Sequence, residues 1–160
     1  MKTMLTLLWA ALSLGSLSAQ NGTLEQVFEN YLSVKNALVL GDGKSASESA
    51  GKLKEALKMT DVSNWSPAAK KAFSQAKEDL LKEAHAISST QNIEKQRASL
   101  GLLSAKLWPV IKEPGSLDRA VYYDYCPMKK AYWLAEEATI KNPFYGKQML
   151  SCGKVEQKIN

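Results

Sequence analysis

Residues 66–88 read SPAAKKAFSQAKEDLLKEAHAIS, and this stretch decides the fold. Ser66 followed by Pro67 is an N-cap and first-turn pair, with Trp65 ahead of it as a hydrophobic staple. Ala69, Phe73, Ala76, Leu80, Ala84 and Ile87 then recur at three- and four-residue steps, which places them on one face of a helix about six turns long. The intervening Lys, Glu, Asp and Gln side chains make the opposite, solvated face. A helix this long with a single apolar stripe needs partners of the same kind.

The neighbouring sequence supplies them. Downstream, Asn92 opens a second run with Ile93, Gln96, Leu100, Leu103 and Leu107, and Pro109 kinks it or marks its last turn. Upstream, Thr23 and Gln26 have capping-box spacing, followed by Leu24, Val27, Tyr31, Val34 and Leu38 until Gly41-Asp42-Gly43 stops the run. Ser45 or a neighbour starts a further helix with Ala46, Ala50, Leu53 and Leu57 on one face. Connections of a few residues favour antiparallel neighbours. The expected fold class is all-α, an antiparallel (up-down) bundle of about four helices. Pro67–Ser88 and Ile93–Ile111 should face each other through Phe73, Leu80, Ile87, Leu100, Leu103 and Leu107.

The composition changes after Glu113-Pro114-Gly115. Val121 to Cys126, VYYDYC, is rich in strand formers and too short for a stable helix. Asn142-Pro143 again has N-cap and N1 character, so a short helix from Pro143 to Met149 is expected. The bundle thus carries an irregular C-terminal segment with a short strand-like stretch and a short helix. At about 35 residues, positions 121–155 are too few to fold alone, so residues 20–160 read as one domain.

The first 19 residues read as a secretory signal peptide. Lys2 supplies the positive end, Met4 to Leu14 is apolar except for Thr6 and Ser13, and small residues gather at Gly15, Ser16, Ser18 and Ala19. The apolar run is too short to span a bilayer, and no later segment is long and apolar enough. The expectation is an exported protein, periplasmic or secreted, with no membrane span after cleavage. Removing Lys2 from the 21 basic residues leaves 20 against 16 acidic ones, a net charge of +4. These charges alternate in sign along the helices, as in Lys52-Leu53-Lys54-Glu55, which is a solvated surface and not a nucleic-acid stripe. An enzyme is not expected. One histidine, His85, excludes a duplicated His/Glu metal motif, and the adjacent Glu136 and Glu137 diverge on a helix.

The chemistry concentrates in a mirrored sulfur pattern, Cys126-Pro127-Met128 and Met149-Leu150-Ser151-Cys152, which holds both cysteines of the chain. Cys126 and Met128 share one side of an extended segment, and Met149 and Cys152 share one face of a helical turn. Two thiolates and two thioethers make a soft donor set that suits copper(I) or silver(I) better than zinc. His85 is an additional candidate ligand, its plain alternative being a partly exposed helix histidine. The same cysteines can instead form a disulfide, the usual fate of two cysteines in an oxidising compartment. Closing that loop would stabilise the fold by about 3–4 kcal/mol in the chain-entropy model. On the residues alone the disulfide stands slightly ahead. Both readings require Cys126 and Cys152 to lie close together.

A resemblance shifts that balance. Tyr125-Cys126-Pro127-Met128, then Trp133-Leu134-Ala135-Glu136, then Ile140 to Gly153 (IKNPFYGKQMLSCG) resemble the bacterial domain of unknown function 3347 family. That family pairs a Cys-Pro-Met element with Trp-Leu-Ser-Glu and Asn-Pro-Tyr-Tyr-Gly…Met-Leu-x-Cys-Gly elements. Tyr31-Leu32 with Lys35 to Leu38 resembles its opening helix, and Glu83 to Ile87 its middle. Ala135 stands where the family commonly has serine. Ser99-Leu100-Gly101 stands where it often has a histidine and a phenylalanine. The resemblance implies an exported protein, or a module of the adaptor subunits of heavy-metal efflux pumps of the resistance-nodulation-division type. It further implies copper or related metal handling, with Cys126, Met128, Met149, Cys152 and, less directly, His85 as ligands. The implied partners are such an adaptor or another exported metal-handling protein. The alternative is a disulfide-stapled helical interaction module without metal.

Overall fold

The computed structural model describes residues 23–160, so the signal-peptide reading of residues 1–19 lies outside the described residues. Four helices come first: α1 (Leu24–Leu40), α2 (Gly43–Met59), α3 (Pro67–Ser88) and α4 (Ile93–Ile111). Their ends follow from local chemistry. Thr23 and Gln26 form the reciprocal capping box. Gly41 closes α1 in the left-handed conformation at φ +77°, and Asp42 at once caps α2 through the Ser45 N–H at 3.0 Å. The second helix therefore begins at Gly43, a near neighbour of the Ser45 around which its start was expected. Ser66 and Asn92 cap α3 and α4 through Ala69 N and Lys95 N. Pro109 sits inside the last turn of α4.

Helices adjacent in sequence pack on one another, α1 on α2, α2 on α3 and α3 on α4, to give a four-helix bundle. Phe73, Leu80, Ile87, Leu100, Leu103 and Leu107 are all buried between α3 and α4, as the periodicity requires. Trp65 meets Phe73 edge-on at 5.3 Å. Gln96 is fully buried, and its amide donates to the Gly43 and Thr90 carbonyls at 2.8 and 2.7 Å, tying α4 to the start of α2.

The C-terminal region corrects the all-α expectation. It is a three-stranded antiparallel sheet, so the protein is α+β: mostly helical with a β end. The strands are β1 (Val121–Cys126), β2 (Ala131–Ala135) and β3 (Lys154–Ile159), in the order β2-β1-β3. The strand-like stretch is β1, the centre of the sheet. Cys126 pairs with Ala131 across the hairpin, and Lys154 pairs with Tyr125 from the other side. The helix expected over Pro143–Met149 is reduced to one 3₁₀ turn, Gly146–Gln148.

Sheet and bundle share one core. Trp108 of α4 stacks on Tyr123, which stacks on Tyr132, both at 4.5 Å. The Leu134 N–H of β2 donates to the Tyr31 hydroxyl at 2.9 Å, Tyr31 to Ser104 Oγ at 2.7 Å, and Ser104 to the Leu100 carbonyl at 2.6 Å. This buried relay satisfies a strand N–H that does not go to β1, and so docks the β2 edge between α1 and α4.

Candidate functional site

The site grows from the pairing of β1 with β3. Because Lys154 lies opposite Tyr125, the chain entering β3 brings Cys152 beside Cys126, the last residue of β1. Both are free thiols, Cys126 fully buried and Cys152 half-buried. Burial pushes the Cys152 thiol up, and the neighbouring Cys126 sulfur adds to the effect. The convergence that both sequence readings required is present.

Asn142 holds the pair together. Its Oδ1 accepts from the Phe144 and Tyr145 N–H groups at 2.8 and 3.3 Å, the N-cap bonds expected of an Asn-Pro start, although only a tight turn follows. With the oxygen so committed, the amide nitrogen faces the cysteines. It donates to Cys126 Sγ at 3.2 Å and to the Cys152 carbonyl at 2.5 Å. The Asn142 N–H goes to the Leu150 carbonyl, and its own carbonyl receives Gly146 N–H. Every polar group of this fully buried residue is paired.

The loop is latched onto the helices. Arg97 of α4 donates from Nε to the Pro143 carbonyl at 2.9 Å and from Nη2 to the Leu38 carbonyl at 3.4 Å, while Nη1 meets Glu94. Gly146, at φ +57°, lies so close to α1 that a Cβ there would come within 2.8 Å of the Val39 carbonyl oxygen. Only glycine fits this combination of dihedral and space.

The methionines are placed differently from the sequence expectation. The strand ends at Cys126 and turns, so Met128 stands in the hairpin loop, 64 % exposed, and does not continue the extended segment. Met149 is 39 % exposed, and its carbonyl accepts the Cys152 N–H at 3.1 Å in a turn. Both thioethers stand at the surface, in the turns next to the thiols. His85 lies on the exposed face of α3, and its ring and carbonyl meet Ser89 in the same helix end. Among the described residues, no group of three or more His, Cys, Asp or Glu side chains is placed to hold a metal ion. What the fold brings together here is the two thiols of Cys126 and Cys152.

A second polar group lies behind the thiols. Asp124, two residues before Cys126 on β1, is fully buried, and neither carboxylate oxygen has a partner. Burial pushes its carboxyl up to about 7, held back by the positive Lys35 of α1. Lys35 is itself buried, and that burial lowers its pKa. Trp133 Nε1, across the strand pair from Asp124, is also unpaired. Sequence reading missed Asp124, which looked like one polar residue in a strand. It also missed Arg97, and it saw Asn142 only as a cap.

Fold and site define a class: a four-helix bundle whose C-terminal antiparallel sheet sets two thiols side by side under one asparagine. The chain belongs to the family described as protein of unknown function (DUF3347), whose model matches residues 27–118, more than half of its length. The match spans most of α1 through α4 and ends before the sheet, so both cysteines lie outside it, whereas the sequence resemblance rested most heavily on their surroundings. No curated protein matches the chain, and no solved structure does.

Proposed function

We propose that the protein is an exported soft-metal binder, a carrier, buffer or efflux-associated module that takes Cu(I) as its cargo between Cys126 and Cys152. The observation that carries this reading is the pair of adjacent free thiols under the Asn142 amide. A d¹⁰ monovalent ion accepts two thiolates as a sufficient donor set, and soft donors select it over zinc or magnesium. Met149 and Met128 at the surface are the thioethers that meet an arriving ion before the buried sulfur does. His85 remains a candidate further ligand only if an ion reaches α3. The partner fitting this reading is a heavy-metal efflux adaptor or another exported metal-handling protein, with the site binding its cargo and performing no chemistry on it.

The same adjacency supports a second reading, a disulfide-stapled helical interaction module without metal. The two states exclude each other at any moment, since a disulfide leaves no thiolate to bind.

Metal content and free-thiol count on protein purified anaerobically separate them, followed by Cu(I) titration against a chromophoric chelator. Replacing Met128 and Met149 together by leucine conserves volume and should change stability by less than about 1.5 kcal/mol. The double variant should bind Cu(I) more weakly than the parent. Equal affinity would remove the thioethers from the site and leave the two thiols. No binding by the reduced parent would leave the disulfide module as the better account.

A further inference from the structure

We propose that Asn142 is the positioning residue of the thiol pair, its side-chain amide directing Cys126 Sγ to act as a terminal ligand for one soft monovalent ion shared with Cys152. This rests on the soft-metal reading above and assigns a role to a residue outside the ligand set.

The assignment of the amide follows from its partners. Two backbone N–H groups, of Phe144 and Tyr145, point at one end of the side chain, and that end must be the oxygen. The other end is therefore the NH₂ group. One of its hydrogens goes to Cys126 Sγ and the other to the Cys152 carbonyl. A single rigid group thus touches the sulfur of one cysteine and the backbone of the other. It fixes the two relative to each other across 26 residues of sequence.

The chemical consequence concerns the sulfur lone pairs. Cys126 is fully buried, and the N–H···S bond occupies one of its lone-pair directions. A thiolate held this way is poorly disposed to bridge two metal ions. When the ion binds, the thiol protons leave to solvent and two S–metal bonds form, with no change of oxidation state.

The test uses the whole chain, reduced. Asn142→Asp and Asn142→Ser both keep a good N-cap acceptor for the Phe144 and Tyr145 N–H groups. Above pH 7 neither offers the amide donor to Cys126. Cu(I) affinity of both variants should fall about tenfold or more, the loss of one hydrogen bond to a charged sulfur. The parent should take up one Cu(I) per chain. Independently of any variant, the Asn142 side-chain amide of ¹⁵N-labelled parent protein should shift on addition of one equivalent of Ag(I), more than the amides of Asn30 and Gln96. That measurement decides the matter if the variants do not fold. Binding by the parent with unchanged affinity in folded variants, or an unmoved Asn142 amide in the Ag(I)-loaded parent, overturns the role of Asn142 alone. A reduced parent that binds neither Cu(I) nor Ag(I) overturns the soft-metal reading and this proposal with it.

Discussion

Asp124 shows how one side chain sets a property of the whole protein. Its carboxylate is sealed in with no hydrogen-bond partner, and burial raises its pKa from 3.8 to about 7. Between those two values the folded state holds a proton that the unfolded state has released. The contribution of Asp124 to stability therefore falls as pH rises through this window. The distance between those two values sets a ceiling of about 4 kcal/mol on that loss. The Lys35 ammonium attracts the carboxylate and already limits the shift. Asp124→Asn removes the titration, so urea denaturation at pH 4.5 and pH 8 should give the variant a flatter pH dependence than the parent. The same slope in both proteins would mean that another group carries the effect.

Tyr31, at the level of the elements, joins three of them. Its hydroxyl receives the Leu134 N–H of β2 and donates to Ser104 of α4, from a fully buried position on α1. Tyr31→Phe keeps the ring but strands a buried strand N–H, which costs about 1–3 kcal/mol. The expected outcome is a lowered urea midpoint, with amide exchange at Leu134 faster than elsewhere in β2; unchanged protection at Leu134 would contradict the relay. The helices were legible because each carries its own signal. Thr23, Ser66 and Asn92 are caps one can read by eye, and the stripe from Ala69 to Ile87 has no strand interpretation. The strands carried less. Val121 to Cys126 declared itself by composition. Ala131–Ala135 is five residues flanked by alanines, and Lys154–Ile159 is charged at half its positions because it forms an exposed edge. Each is a strand because β1 lies beside it, a tertiary cause that local propensity does not record. The convergence of the cysteines was expected from their chemistry. Asn142 escaped as a thiol partner because its capping signal explained only half of its hydrogen bonds.

For the whole molecule, bundle and sheet act as one body. Arg119, just before β1, reaches Glu25 and Glu29 on α1 and Glu136 just past β2, tying the junction together at the surface. Arg97 does the same from below for the thiol loop. The bundle thus serves as a frame on which the end of β1 and the loop entering β3 bring Cys126 and Cys152 together, and the soft-metal reading stands or falls on that pair. The most direct measurement is a Cu(I) competition titration of the anaerobically reduced protein beside Cys126→Ser and Cys152→Ser. The account predicts one tightly held Cu(I) per chain in the parent and its loss in both variants. Failure of the parent to retain Cu(I), or retention undiminished in either serine variant, would contradict it.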